Sequence, residues 1–491
     1  MNVIARSVRS TAWIVADSWI SAALGAVSYL FLIRILGPEI FGTIAIAGLF
    51  FGAVGTFVGS ALTESIQQRE EVETGHLNMT FWLNSSLCFV LAGLIAAAAV
   101  PIGALFGSEA LTKVIPALAL AALISSFGAL PRALLERKLQ HDKLAALNAL
   151  AGIPSTIVAL GMAWYGFGVW SLVGSILTGT CLGTLGVWLM VDWRPGLAME
   201  RRHFTDLVDF NRNTVLTNAL GYADDAIPRF TLAIVAGERA VGLFDLAMQI
   251  SSTLSSAIMG PIGEVAMNTI ARLQSREDHV RELLHRVFTL TTSIMYPAVL
   301  GVVVVAPFAL PLVLGEAWLD VVLPAQLALL IGLRNASGDL NIAILRGFGE
   351  SSAPVRILGI GAVLQILFTP LIIAFGTIGA VVAVALRVFA TWPISAMEVH
   401  RVCKYGMMRQ VSVGLPALMA AAIMTVATWG LAIVLPQGWP SLLMIGVVVP
   451  FGVAVYGACL VLGRQVQRLR ASVNWFRVQM RTHDHQAAVA V

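Results

Sequence analysis

Long apolar stretches separated by short polar connections fill this chain from one end to the other. A bilayer-spanning helix needs about 20 mostly apolar residues, and the sequence offers fourteen stretches of that kind. The pattern predicts an all-α polytopic membrane protein with about 14 transmembrane helices; twelve or thirteen also fit, because some neighbouring stretches are divided only by a glycine turn. The predicted spans are residues 11–33, 43–66, 79–105, 114–135, 144–166, 168–190, 213–235, 241–270, 287–314, 321–345, 355–375, 377–399, 410–435 and 440–463.

Composition and connection length exclude a soluble enzyme. Hydrophobic residues make up 58% of the chain and charged residues 12%, against about 25% charged residues in soluble domains. The connections leave no room for a separate catalytic domain. The four cysteines are scattered and the eight histidines have no metal-binding spacing. We therefore expect a membrane-embedded protein that needs no metal and no cofactor.

Basic residues concentrate in alternate connections. One set of connections, together with both termini, carries 24 of the 31 lysines and arginines, whereas the opposite set carries only Arg34, Lys113 and Arg239. Cytoplasmic connections of membrane proteins hold such an excess of Lys and Arg. The distribution predicts that both termini are cytoplasmic, and it explains the net charge of +4 without any binding of nucleic acid.

Two segments 200 residues apart repeat a motif. Leu32–Gly42 (LIRILGPEIFG) matches Leu232–Gly242 (LAIVAGERAVG) in the position of two glycines, and Val114–Ala117 matches Val322–Ala325 at an offset of 208. Six predicted spans separate the copies. Because six is an even number, both copies have the same orientation, which predicts a parallel repeat of the kind found in transporters.

The repeat predicts two six-helix lobes that rock around a site near the bilayer midplane, although a duplicated scaffold without transport is the alternative.

The last 28 residues predict an amphipathic helix on the cytoplasmic membrane surface. The expected organisation is an N-lobe over 1–190, a cytoplasmic linker over 191–212, a C-lobe over 213–400, two further helices over 410–463 and the tail over 464–491.

Five motifs in a fixed order carry a family resemblance. They are Ile33–Gly42 (IRILGPEIFG), Ala61–Arg69, Thr80–Asn84 (TFWLN), Pro131–Leu139 (PRALLERKL) and Gly242–Ala247 (GLFDLA). Over roughly residues 5–460 the chain resembles the Wzx-type flippases of the polysaccharide transporter family, within the MOP exporter superfamily, and most of all their colanic-acid-type subgroup.

This resemblance implies a V-shaped, two-lobed fold similar to that of the MATE and MurJ exporters. It also implies an inner-membrane flippase that moves undecaprenyl-diphosphate-linked oligosaccharide repeat units by alternating access, for exopolysaccharide or lipopolysaccharide O-antigen biosynthesis. A polysaccharide polymerase and chain-length machinery would be its partners. Two alternatives are a multidrug or cation antiporter of the same superfamily and a membrane-embedded glycosyl polymerase; the short outward connections count against the polymerase.

Arginines within or at the edges of spans are candidates for binding an anionic headgroup. A diphosphate carries about two negative charges, and the planar guanidinium can donate two hydrogen bonds to it at once. The candidates are Arg334, Arg387, Arg229, Arg132 and Arg34. Snorkelling to the interface is an alternative for the last two. Arg229 has Asp225 at ion-pair spacing, and Arg334 lies five residues from Asp339, near one helical face but not on it.

Intramembrane carboxylates are candidates for coupling transport to H⁺ or Na⁺. In a cavity of low dielectric constant a carboxylate can bind a proton in one conformation and release it in another. The candidates are Asp17, Asp224, Asp225 and Asp339. Charge compensation for the arginines above is the alternative.

Overall fold

The computed structural model describes residues 3–56, 66, 72–138, 140–197, 201–273, 277–348, 350, 352–436, 438–463 and 465–467. Within them the regular structure is helical throughout. The α-helices are α1 (Val3–Val54), α2 (Thr74–Ala97), α3 (Ala99–Phe106), α4 (Glu109–Arg137), α5 (His141–Trp164), α6 (Val169–Met190), α7 (Arg201–Leu273), α8 (Glu277–Leu314), α9 (Val322–Gly347), α10 (Ser352–Leu367), α11 (Thr369–Cys403), α12 (Met407–Val434) and α13 (Ser441–Leu462), with a 3₁₀ helix over Glu316–Val321.

Where the structure describes the chain, the predicted spans fall on these helices to within a few residues; residues 57–65 of the second span lie outside the described ranges. In the described part of the chain, ten helical segments are long and apolar enough to cross a membrane. The other four predicted spans lie in the first part of α1, in the two halves of α7, and in α10 with the start of α11. The prediction of an all-α membrane protein with about 14 helices is therefore confirmed.

Two long helices are each interrupted once by a glycine. The chain leaves helical geometry at Gly37 in α1 (φ 74°, ψ 171°) and at Gly237 in α7 (φ 76°, ψ −173°). A residue with a Cβ atom adopts this conformation only under strain, whereas glycine adopts it readily. Each glycine therefore ends one span and allows the next to begin almost at once.

Another pair of glycines has matching backbone angles at equivalent positions of the two repeats. Gly168 before α6 (φ 57°, ψ −126°) matches Gly376 inside α11 (φ 56°, ψ −130°) at an offset of 208, and a phenylalanine precedes both. Gly107 and Gly315, separated by the same offset, also have positive φ. Because the breaks recur in order and with nearly equal backbone angles, the predicted parallel repeat of six helices is confirmed, with α12 and α13 as two additional helices.

The chain divides into two compact units, Met1–Leu243 and Phe244–Val491. In the first unit α4 packs against α2 and α6, and α5 packs against α6. In the second, α8 packs against α9, α12 and α13, and α9 packs against α11. The lobe boundaries predicted near 190 and 213 stay a prediction. The predicted tail helix lies outside the described residues except for 465–467.

Candidate functional site

Arg334 lies inside the second unit, on α9. The residue is only 9% exposed, and its Nη1 atom lies 3.7 Å from Oδ1 of Asp339. Gly338 makes room for it, because a methyl group at that position would overlap with the guanidinium. The sequence suggested that Arg334 and Asp339 were near each other without sharing a face; the structure shows that the long arginine side chain bridges the difference.

Arg387 approaches Arg334 from the neighbouring helix. It lies half-buried on α11, which packs against α9, and the two guanidinium groups are close enough to interact electrostatically. Asp339 is the carboxylate that pairs with Arg334. Arg334, Asp339 and Arg387 are here called the arginine cluster.

An amide pair that was not predicted from the sequence connects α9 to α12. Asn341 of α9 donates from Nδ2 to Oε1 of Gln410 at 3.3 Å, and Gln410 of α12 donates from Nε2 to Oδ1 of Asn341 at 2.9 Å. Asn341 also donates to Oγ of Ser395 at 3.1 Å. All three residues are at most 1% exposed. The signal was present in the sequence, since both amides stand within predicted apolar spans.

Arg229 and its neighbouring acids lie in the first unit, on α7. Nη1 of Arg229 donates to the main-chain carbonyl of Asp225 at 2.8 Å, so the predicted one-turn proximity is present. Asp224 is 7% exposed and Asp225 is exposed. One turn earlier, the hydroxyl of Tyr222 donates to the main-chain carbonyl of Leu49, which ties α7 to α1.

Arg132 lies in the same unit but on another group of helices. Its Nε atom lies 3.1 Å from Oε1 of Glu136, and its Nη2 donates to Oδ1 of Asn148 at 3.3 Å. The residue borders a cavity of about 260 Å³ between α4, α5 and α6.

Arg34 and Asp17 are the two remaining candidates. Arg34 is exposed on α1, and the side chain of Asp17 lies outside the described part of the structure. Arg334, Asp339 and Arg387 are thus brought together, as are Arg229, Asp224 and Asp225, and the roles predicted for all of them stay predictions. Among the described residues, no three His, Cys, Asp or Glu side chains are placed to hold a metal ion.

The second unit also contains an apolar cavity of about 450 Å³. Residues of α8, α12 and α13 line it, including Pro297, Met424, Val448 and Tyr456. Apolar pockets of this kind accept hydrocarbon rather than polar groups. The second unit therefore contains both the arginine cluster and a space suited to an apolar chain.

The sequence matches the family described as polysaccharide biosynthesis protein over residues 31–323. It is 23% identical to the lipopolysaccharide biosynthesis protein WzxC of Escherichia coli strain K12 over 343 residues, which cover 69% of each chain. It is 22% identical to the succinoglycan biosynthesis transport protein ExoT of Rhizobium meliloti strain 1021 over 312 residues, or 63% of each chain.

Two solved structures share the fold. The lipid II flippase MurJ in an inward closed conformation aligns with a TM-score of 0.77 at 12% identity, covering 92% of this chain and 99% of MurJ. An inward-facing multidrug resistance MATE transporter of the MOP superfamily aligns with a TM-score of 0.59 at 15% identity, covering 77% of this chain and 95% of that one. The chain is a multi-pass membrane transporter and a member of the polysaccharide biosynthesis protein family.

Proposed function

We propose that the protein is a flippase that moves undecaprenyl-diphosphate-linked oligosaccharide repeat units across the bacterial inner membrane. The repeat units would serve exopolysaccharide or lipopolysaccharide O-antigen biosynthesis. The observation that carries the proposal is the arginine cluster: Arg334, which pairs with Asp339, and Arg387 lie close together on adjacent membrane helices. An isolated arginine at the centre of a membrane helix costs about 2.5–3.5 kcal/mol on insertion scales, and two neighbouring guanidinium groups favour an anionic ligand between them.

The chemistry of the substrate matches what the second unit contains. A diphosphate accepts several charge-assisted hydrogen bonds, and the guanidinium fork presents donors in the matching plane. Sugar hydroxyls cannot cross hydrocarbon unaided, because each unpaired one costs about 2–7 kcal/mol to desolvate. A polar path for the headgroup is therefore needed, and the apolar cavity on α8, α12 and α13 is suited to part of the polyprenyl chain.

Alternating access is the mechanism that the repeat supports. The lobes would be residues 1–190 and 213–400, joined by the cytoplasmic linker 191–212, with both termini in the cytoplasm. The glycine breaks at Gly37 and Gly237 divide spans at equivalent positions of the two lobes. In this scheme the headgroup binds the arginine cluster from the cytoplasmic side and leaves on the other side.

Asp339 is the strongest candidate for ion coupling. Its carboxylate lies 3.7 Å from Arg334, so protonation would remove the negative charge paired with Arg334 and strengthen the attraction of that arginine for a diphosphate. Asp224 and Asp225 are further candidates in the first unit. The coupling ion would be H⁺ or Na⁺. We also propose that a polysaccharide polymerase and chain-length machinery receive the translocated repeat unit.

The test is deletion of the gene in its native host, followed by assay of lipid-linked repeat units in inner-membrane extracts. A flippase predicts that diphosphate-linked oligosaccharide accumulates on the cytoplasmic side and that surface polymer is lost. The likeness to a multidrug resistance transporter makes an antiporter the second candidate. Unchanged lipid-linked pools together with new sensitivity to cationic drugs would overturn the flippase in favour of that antiporter.

A further inference from the structure

The cavity between α4, α5 and α6 of the first unit has a volume of about 260 Å³. Gly128 of α4 and both Gly179 and Gly183 of α6 are among its lining residues. Here it is called the Arg132 crevice, because Arg132 is the one cationic side chain among its lining residues.

The guanidinium of Arg132 has more N–H donors than its two acceptors, Glu136 and Asn148, use. Glu136 accepts one of its five N–H groups and Asn148 accepts another. No other acceptor in the described part of the chain lies within hydrogen-bonding distance of it, and the side chain is 46% exposed. An acceptor with several oxygen atoms in one plane or tetrahedron, such as a phosphate group, fits the remaining donors.

The hydroxyl groups around the crevice are oriented to accept hydrogen bonds. Ser125, Thr180 and Thr184 each donate their proton to a main-chain carbonyl, at 2.7, 2.7 and 3.2 Å. Their lone pairs are left for a ligand that brings its own O–H groups. The crevice therefore offers N–H donors at Arg132 and acceptors on α4 and α6, a combination that matches a phosphate ester carrying hydroxyl groups.

The surface around the crevice is apolar, which indicates how such a ligand would arrive. On α5 the exposed side chains include Leu150 and Ile153, and on α6 they include Leu185 and Leu189. Arg132 lies five residues before the end of α4 at Arg137, about 7.5 Å along the axis at 1.5 Å per residue. A lipid headgroup can reach that depth while its acyl chains cover the leucines, whereas a soluble phosphate would have to cross apolar surface.

The second repeat has larger side chains at two positions equivalent to lining residues of the crevice. The offset of 208 fixed by Gly168 and Gly376 places Arg387 where the first repeat has Gly179 and Trp392 where it has Thr184. Large side chains thus occupy positions that are small in the first repeat. The lining of the Arg132 crevice is therefore not conserved between the two repeats at these positions.

We infer that the Arg132 crevice binds the phosphate-containing headgroup of an anionic phospholipid such as phosphatidylglycerol. Basic pockets between membrane helices recognise anionic headgroups in this way. Arg132 binds the phosphate oxygens through the donors that Glu136 and Asn148 leave, and the hydroxyls of α4 and α6 receive the glycerol O–H groups. This site is separate from the arginine cluster of the second unit.

Native mass spectrometry of the full-length protein, titrated with phosphatidylglycerol, tests the inference. Arg132→Gln removes the charge, and Gly183→Leu introduces a large side chain at a lining residue of the crevice while Arg132 itself is kept. Gly161→Leu on α5 is the matched control, because a side chain there meets open space. We expect phosphatidylglycerol binding to fall about tenfold or more in the first two variants and to be unchanged in the control. Gly183→Ala, whose methyl group would make only ordinary contact with Ala151 at 3.7 Å, should retain binding.

Three results would overturn the inference. They are unchanged binding in monodisperse Arg132→Gln protein, equal binding of phosphatidylcholine, and Arg132-dependent binding of inorganic pyrophosphate without binding of phosphatidylglycerol. The measurement contains no transport step. Its failure would therefore leave the proposed flippase function untouched.

Discussion

Gly42 and Gly242, which occupy equivalent positions of the two repeats, make reciprocal close contacts. A methyl group on Gly42 would overlap with the main-chain carbonyl of Glu238, and one on Gly242 would overlap with that of Pro38. Pro38 and Glu238 are themselves equivalent at the offset of 200. The paired motif found in the sequence is therefore a contact between α1 and α7, in which each glycine accommodates the main chain of the other helix.

This contact predicts that Gly42→Ala and Gly242→Ala each destabilise the protein. Main-chain atoms cannot rotate away as a flexible side chain can, so the cost should be that of overpacking, about 1–3 kcal/mol. Thermal unfolding of the purified protein in detergent measures it. Gly48→Ala on α1 is the control, because a methyl group there meets no atom within 4 Å. Equal melting temperatures for all three variants would contradict the close contact.

The arginine cluster predicts that Arg334→Ala and Arg387→Ala each reduce polysaccharide export. Loss of a charge-assisted hydrogen bond to phosphate costs about 1.5–3 kcal/mol, which corresponds to a reduction of about tenfold or more. Surface polymer in a complemented deletion strain is the readout, with protein level in the membrane measured in parallel. Arg401→Ala, on the same helix as Arg387 and 73% exposed, should export normally. Normal export by both cluster variants would remove the cluster from the substrate path.

Gly338→Ala should impair export through Arg334 without unfolding the protein. The added methyl group overlaps with the guanidinium, and a flexible side-chain end can move away at small cost. We expect a displaced guanidinium, reduced export and a nearly unchanged melting temperature. Gly446→Ala on α13, where the methyl group meets open space, should change neither. If Gly338→Ala exports at the normal level, the position of the Arg334 guanidinium is unimportant for transport.

The amide pair of Asn341 and Gln410 predicts strong coupling between two substitutions. Removing one partner leaves a buried amide unsatisfied, at a cost of about 1–3 kcal/mol, whereas replacing both can be nearly neutral. Asn341→Leu and Gln410→Met should therefore each lower the melting temperature more than the double variant does. A double-mutant cycle on thermal stability measures the coupling. Simple additivity of the two effects would indicate that the reciprocal hydrogen bonds contribute little.

Much of the fold could be predicted because the bilayer imposes long apolar helices. The spans, the repeat and the importance of Gly37 and Gly237 follow from hydrophobic length and from two aligned glycines. The sequence could not show that α1 and α7 meet at Gly42 and Gly242, because a contact between distant segments depends on packing rather than on local pattern.

The sites were less predictable, and side-chain reach explains why. Five residues along a helix correspond to a rotation of about 140° at 3.6 residues per turn, so the spacing of Arg334 and Asp339 argued against a contact that the structure contains. Burial also could not be read from position: Arg334 is almost buried, whereas Arg132 is half exposed. The Arg132 crevice is lined by residues from three helices, and only the packed structure brings these together.

The tight glycine turns also decide where the protein can accept foreign sequence. The turns at Gly37, Gly107, Gly168, Gly237, Gly315 and Gly376 are separated by even numbers of spans, so all six lie on one face of the membrane. Each turn has few or no residues between the helices that it joins. An inserted epitope tag or fluorescent reporter would therefore force two packed helices apart. Tags should therefore be tolerated at the opposite face and at the chain ends, and antibodies or proteases applied to the glycine face should find almost no extended segment to bind.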